Sequence, residues 1–293
     1  MVALPPPLRQ ALDVSAALAA AARARGPAQG PHAARGARGA RGRRRRAGIR
    51  VHRGGAEDRW IYYLHGGGYS IGSVDSHRDL IVRIARAAGA NTFAIDYRLA
   101  PEHPFPAALD DAVLAWHWLL ARGVDPSRAL IAGESAGGGL TLATSLALRD
   151  AGEPLPAGAV AISPWVDLTL RGRSIDENAR FDYLARPVLE TFVRRYAPRD
   201  PRHPLVSPVF GDLRGLPPLL IQAGGAEALR DDALALAARA EEAGVPTSLR
   251  LFDDMIHVFH VIPMLRETRE AIREIGEFAR RVTSAGAGAI SAA

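Results

Sequence analysis

Ser135 sits in Gly133-Glu134-Ser135-Ala136-Gly137, a G-x-S-x-G pentad preceded by the apolar run Ala129 to Ala132 and followed by a helix-forming run. The flanking glycines let backbone pass closely on either side of a sharp strand-to-helix turn. Such a turn holds the serine in a strained conformation at a helix N-terminus, where the dipole favours a developing anion. This is the setting of a serine nucleophile for acyl transfer. The competing reading, a glycine-rich nucleotide site, lacks its chemistry, because Ser135 lies in no GxxxxGK[ST] loop and the chain has no lysine. A second element, His65-Gly66-Gly67-Gly68, follows the apolar run Trp60 to Leu64. Consecutive glycines allow backbone N–H groups to converge on one point, as the oxyanion of a tetrahedral intermediate requires; losing one such donor costs on the order of 10²- to 10³-fold in rate. The remaining donor would be the amide of Ala136.

A serine nucleophile needs a base, and the base needs an acid to fix its tautomer. His257 is the best-placed base, in Asp254-Met255-Ile256-His257-Val258-Phe259 after the run ending at Phe252. Of the other histidines weighed, His65 opens the glycine loop, His117 lies between Trp116 and Trp118 in an apolar helix and reads as packing, and His260 follows His257 at i+3. None has the HExxH spacing of a metal site. For the acid, Gly224-Gly225-Ala226-Glu227-Ala228-Leu229-Arg230-Asp231-Asp232 follows the run Pro218 to Gln222. Glu227 lies nearest the strand end, and Asp231 or Asp232 would open the next helix as cap residues. The chain order Ser135, Glu227, His257 is that of α/β-hydrolases.

The elements that must position these residues follow from periodicity. From Trp60 onward short apolar runs alternate with helical patterns, the signature of a mainly parallel sheet covered on both faces. Strands are predicted at Trp60 to Leu64, Thr92 to Ile95, Ala129 to Ala132, Ala159 to Ile162, Pro218 to Gln222 and Ser248 to Phe252. Helices are predicted at Ser76 to Ala88, Pro106 to Leu120, Ala136 to Arg149, Asp231 to Ala243 and Leu265 to Thr283. Between Trp165 and Pro208 the alternation lapses, leaving room for short helices above the sheet. This insert and an amphipathic N-terminal helix around Val14 to Ala22 are candidates for a lid. The domain division is an N-terminal helix and low-complexity segment at 1–56, then a catalytic domain at 57–293 with a cap insert at about 165–208.

Charge and composition remove other classes. The 293 residues are 48 % hydrophobic and 23 % charged, so a sizeable core is available. With no cysteine there is no disulfide framework, thiolate metal site or cysteine nucleophile, which fits a reducing compartment. No apolar stretch reaches the roughly 18 to 20 residues of a membrane helix, and the N-terminus is a poor signal peptide, so a cytoplasmic location is expected over export. The net charge is +6, but ten arginines and no acid lie between Arg23 and Arg50, which leaves the other residues at −4. The basicity therefore belongs to one segment. No aromatic residues interleave there to stack bases, so residues 24 to 48 read as a solvated basic loop rather than a nucleic-acid arm.

Seven motifs in order carry a family resemblance: HGGGY at 65–69, DYRLAPEHPFPAALDD at 96–111, GESAGG at 133–138, SPWVDLT at 163–169, HPLVSP at 203–208, GLPPLLIQAG at 215–224 and DMIHVFH at 254–260. The chain resembles the bacterial hormone-sensitive-lipase family of α/β-hydrolase esterases from about Trp60 to Arg281. That likeness implies an α/β-hydrolase fold, with a mainly parallel central sheet of about eight strands flanked by helices, and a helical cap. It further implies no cofactor, no metal, and hydrolysis of short-to-medium acyl carboxylic esters of small molecules. Carried over by position, Ser135 matches the nucleophile, His257 the general base, and Gly67, Gly68 and Ala136 the oxyanion donors, with His65 and Gly66 supporting the motif. Glu227 stands where most members have aspartate; one methylene longer, it can still hold an imidazole, and it is preferred to Asp231. Glu134 replaces the usual Asp or Thr and is read as a structural partner. Tyr97, Arg98 and Glu102 are expected to tie a loop behind the glycine turn. No strand is legible before Trp60, so the first strands are expected to be missing or replaced. A homodimer through the last strand and helix is a further expectation from the family. The alternatives on this fold are a lactone hydrolase or amidase, and a non-catalytic ligand-binding protein, which would tend to lack the histidine that is present at 257.

Overall fold

A computed structural model describes residues 49–52, 58–197 and 199–285. The predicted N-terminal helix, the arginine-rich stretch to residue 48 and most of the linker to Trp60 lie outside the described residues. Seven strands form one sheet: β1 (Ile49–His52), β2 (Trp60–Leu64), β3 (Asn91–Ile95), β4 (Ala129–Glu134), β5 (Gly158–Ile162), β6 (Leu219–Gly224) and β7 (Thr247–Phe252). Their order is β1-β3-β2-β4-β5-β6-β7, with β1 antiparallel to β3 and every other pair parallel. The expectation that no strand precedes Trp60 is corrected by β1, whose Ile49 to His52 pair with Ile95 to Thr92 and close that edge. The sheet has seven strands among the described residues where about eight were expected.

The longer helices are α1 (Arg78–Ala88), α2 (Ala107–Leu120), α3 (Ala136–Asp150), α5 (Arg186–Tyr196), α6 (Arg230–Glu242) and α7 (Arg266–Ala285); α4 (Ser174–Glu177) is a single turn. Side chains of a strand alternate between faces, and each face here has its own core. Along β2, Trp60, Tyr62 and Leu64 join Trp116 of α2, Leu140 of α3 and Leu236 of α6. Ile61 and Tyr63 point the other way, to Leu80 and Ile84 of α1 and Ile275 and Phe278 of α7. Both faces being covered, strands β2 to β6 are buried along their whole length and are mainly apolar, and each fully buried Leu, Ile or Phe contributes about 1.5–3 kcal/mol. β7, at the edge, alternates instead.

The strand order also fixes where a site can form. From β2 the chain moves outward to β3, then returns to place β4 on the other side of β2. The loops leaving β2 and β4 therefore diverge at their carboxyl ends and leave a crevice at this switch point. The glycine loop leaves β2 there, and Ser135 leaves β4.

Candidate active site

Ser135 lies between β4 and α3 with φ 56° and ψ −122°, a region L-residues rarely adopt. The turn is over-determined by its neighbours: the Ser135 amide donates to the Ile162 carbonyl (2.9 Å), and its carbonyl accepts from Trp165 and Gly139. Gly137 is required by packing, since a Cβ there would press on the backbone oxygens of Leu64 and His65. The loop after β7 brings His257 over the serine, with Nε2 3.0 Å from Oγ. The ring is buried, at 3 % exposure.

Glu227, in the loop between β6 and α6, faces the other ring nitrogen. Its Oε2 accepts from Ser163 Oγ and from the Gly224 amide, both at 2.7 Å. Its Oε1 stands 3.6 Å from His257 Nδ1. That is longer than a hydrogen bond, yet both atoms are buried and neither has another partner. Burial pulls the imidazole pKa down, but the adjacent Glu227 carboxylate, and then the charges of Asp182 and Glu134, outweigh it and hold His257 above its ordinary value.

Asp231 does not face the histidine; its carboxylate accepts from the Ser174 amide and pairs with Arg230. Asp232 is buried and accepts from the amides of Val166 and Asp167, and burial pushes its carboxyl up to about 8. Both lie in the first turn of α6 rather than at its cap. Two residues near the histidine had no role assigned from sequence. Ser163 donates to Glu227 and accepts from the Val258 amide (3.1 Å). Asp182 accepts from Ala228 N (2.7 Å), Tyr183 N (2.8 Å) and the His257 amide (3.4 Å), and burial is the largest influence raising its carboxyl pKa. Asp182 lies where periodicity lapses, so nothing in the pattern marks it; Ser163 opens the SPWVDLT motif.

The glycine loop is held from behind. Tyr97 Oη donates to the His65 carbonyl (2.6 Å) and its ring stacks on His65 at 4.3 Å. Burial first, then the charge of His77, lowers the His65 pKa to about 3, so this imidazole is neutral. Arg98 pairs with Asp111 in the same region, whereas Glu102 is exposed and makes no such tie. Glu134, at 1 % exposure, accepts from the Gly66 amide and from Tyr63 Oη (2.5 Å) and lies 3.1 Å from His77 Nε2. It is thus the acceptor that fixes the loop's first glycine. Glu134→Ala is expected to cost about 2–3 kcal/mol in urea unfolding, because it strands the buried Gly66 and Tyr63 donors; a loss below about 0.5 kcal/mol would contradict this role. Among the described residues the amides of Gly67, Gly68 and Ala136 donate to no protein acceptor. Gly68 has φ +57°, and a Cβ there would strike the ring of Phe192 on α5, so the insert packs directly on this loop.

A cavity of about 570 Å³ opens over Ser135 and His257. Tyr183, Leu184, Val188 and Phe192 from the insert form one wall, and α1 with residues 261–264 forms another. Among the described residues no cluster of three His, Asp or Glu could hold a metal ion, and no helix is long and apolar enough to cross a membrane.

Comparison with known proteins agrees with this architecture. Residues 61–261 match the family model described as alpha/beta hydrolase fold. An acetyl-hydrolase of Streptomyces hygroscopicus is 50 % identical over 233 residues, 78 % of each chain. An esterase of Acinetobacter venetianus is 36 % identical over 242 residues, 80 % of each. The crystal structure of an esterase from the bacterial hormone-sensitive lipase family superposes with a TM-score of 0.79 at 39 % identity, covering 96 % of this chain and all of that one. The chain belongs to the α/β-hydrolase family, in its bacterial hormone-sensitive lipase branch. It is a carboxylic ester hydrolase.

Proposed function

We propose that the protein hydrolyses short-to-medium acyl carboxylic esters with Ser135 as nucleophile, His257 as general base and Glu227 as the acid that orients the imidazole. The observation that carries this reading is the 3.0 Å contact between His257 Nε2 and Ser135 Oγ, beside three amides with no protein acceptor. His257 takes the hydroxyl proton as Oγ bonds to the ester carbonyl carbon. The carbonyl oxygen becomes an oxyanion received by the amides of Gly67, Gly68 and Ala136, at the N-terminus of α3. The imidazolium then protonates the departing alcohol as the C–O bond breaks. Water, deprotonated by the same histidine, attacks the carbonyl carbon of the acyl-serine; the C–Oγ bond then breaks as the imidazolium returns the proton to Oγ, and the carboxylic acid leaves. Glu227 stabilises the transient imidazolium and keeps the Nδ1 proton in place. The insert at about 165–208 serves as the cap, and its apolar wall of Leu184, Val188 and Phe192 takes the acyl chain.

A series of p-nitrophenyl esters tests this. Turnover is expected to be highest with acetate to octanoate and to collapse with palmitate; no turnover of any ester by folded protein would overturn the activity, and a maximum at palmitate the chain-length assignment. The acidic limb of kcat/KM follows His257, which acts only when neutral. Because its pKa is held above the ordinary value, activity is expected to be lost as pH falls through a midpoint above about 6.5. A midpoint below 6 in a pH–rate profile would contradict the geometry.

A further inference from the structure

We propose that the insert carries a strap, Ser174, Asn178 and Asp182, that holds the backbone on which Glu227 stands, with Asn178 the positioning residue that keeps the Glu227 carboxylate opposite His257. This rests on the reading of Ser135, His257 and Glu227 as a triad and adds the residues that set its geometry. The three strap residues are spaced by four. The amides of Asn178 and Asp182 donate to the carbonyls of Ser174 (2.9 Å) and Asn178 (3.0 Å), so the three side chains share one face of a short helical coil. That face is turned inward: all three are buried, whereas Asp176, Glu177, Ala179 and Arg180 between them are exposed.

Polar side chains withdrawn from water need partners, and these find theirs around the acid. Asn178 Nδ2 donates to the Glu227 carbonyl at 2.8 Å. Ser174 Oγ donates to the Ala228 carbonyl (2.7 Å) and accepts from the Asp231 amide (3.1 Å), and Asp182 Oδ2 accepts from the Ala228 amide (2.7 Å). The loop has need of this support, because it opens α6 without a cap of its own. Leu229 stands in the cap position and has no side-chain oxygen, so Ser174 meets the first-turn amide of Asp231 as a cap serine would, from another part of the chain.

The Glu227 carboxylate is itself anchored at one oxygen only. Oε2 accepts from Ser163 and Gly224, while Oε1 faces Nδ1 of His257 at 3.6 Å. Where Oε1 points therefore depends on where the Glu227 backbone lies. Its carbonyl is fixed by Asn178; the Arg230 amide, which also donates to it, stands farther off at 3.4 Å. Asp182 Oδ1 accepts from the His257 amide (3.4 Å), so the strap reaches both members of the pair.

Asn178→Ala separates positioning from mere support. With p-nitrophenyl butyrate kcat is expected to fall about tenfold while KM stays within about twofold of wild type, because the imidazolium loses an aligned partner and the ester's own contacts are untouched. Arg186→Met is the control. Arg186 donates to Asp176 and to the Leu170 carbonyl, both in the insert, so its loss is expected to lower the unfolding temperature and leave kcat unchanged. A readout without turnover uses Ser135→Ala with isotope-labelled histidine and NMR. The adjacent Glu227 holds His257 above its ordinary pKa, so adding Asn178→Ala is expected to move the His257 midpoint down by more than about 0.3 pH unit, and adding Arg186→Met to leave it in place. A kcat loss below about threefold, an equal loss in Arg186→Met, or a smaller midpoint shift overturns the proposal. If Asn178→Ala does not fold, Ser174→Ala, which removes one hydroxyl from the same strap, is read by the same limits. Should folded wild type hydrolyse no ester while the His257 midpoint still follows Asn178, the esterase reading fails and the strap stands as the support of the Glu227–His257 pair.

Discussion

Ser135→Ala is expected to reduce hydrolysis of p-nitrophenyl butyrate by a factor on the order of 10⁴–10⁶ while leaving the folded structure and thermal unfolding essentially unchanged. The size of the loss follows from the route: without Oγ there is no acyl-enzyme, and His257 has nothing 3.0 Å away to deprotonate. What survives is the binding and oxyanion contribution alone, on the order of 10³–10⁴ over water. The fold is spared because alanine is no worse than serine at φ 56°, and the side chain's partner within hydrogen-bonding distance is the histidine. Activity within tenfold of wild type, measured on protein free of wild-type carry-over, would exclude covalent catalysis at this residue.

The second large effect is expected at the proposed acid. Glu227→Gln is expected to lower kcat/KM by on the order of 10³–10⁴ and to move the acidic midpoint downward. Ser163 Oγ and the Gly224 amide both donate to Oε2, so the glutamine oxygen will occupy that position and turn its NH₂ toward His257 Nδ1. Two donors then face each other, the wrong tautomer is favoured, and the imidazolium loses its counter-charge. Burial, which lowers the His257 pKa, is no longer opposed by its strongest partner. Asp182→Asn is the control, since Asp182 contacts the backbone amides of Ala228, Tyr183 and His257 and not the ring; its loss is expected to stay near about tenfold. Equal losses in the two variants would reassign the acid.

The parallel core was legible because its strands are buried on both faces. Continuous runs such as Trp60 to Leu64 and Ala159 to Ile162 have one reading when helical periodicity follows. The observed β3, β5 and β7 begin one residue earlier than predicted, and β4 and β6 run two residues further, into Glu134 and Gly224. α1 starts at Arg78 rather than Ser76 because the Ser76 hydroxyl folds back onto the Ser73 carbonyl and closes a turn instead. β1 escaped for a compositional reason: the alternation Ile49-Arg50-Val51-His52 sits at the end of an arginine-rich tract, and antiparallel edge strands carry polar residues that blur the signal. Ser135, Glu227 and His257 each follow a recognisable strand, so their proximity could be read from chain order. Asp182 follows none, and its approach to His257 depends on how an irregular insert folds back. Residues 96–111 fall between these cases: Tyr97 and Arg98 engage as expected, while Glu102 points to solvent.

The reversal of strand order beside β2 has a consequence for the birth of the enzyme on the ribosome. A chain emerging N-terminus first can pair β2 with β3 and then β4, presenting the glycine loop and Ser135 while the segments bearing Glu227 and His257 are still unmade. On the proposed mechanism the serine and the glycine loop are therefore made before the residues assigned to activate them. On that mechanism hydrolytic power does not grow with length but requires β7 and the loop that carries His257. A chain that ends before residue 257 lacks the proposed base, and hydrolysis at Ser135 is expected only from longer chains.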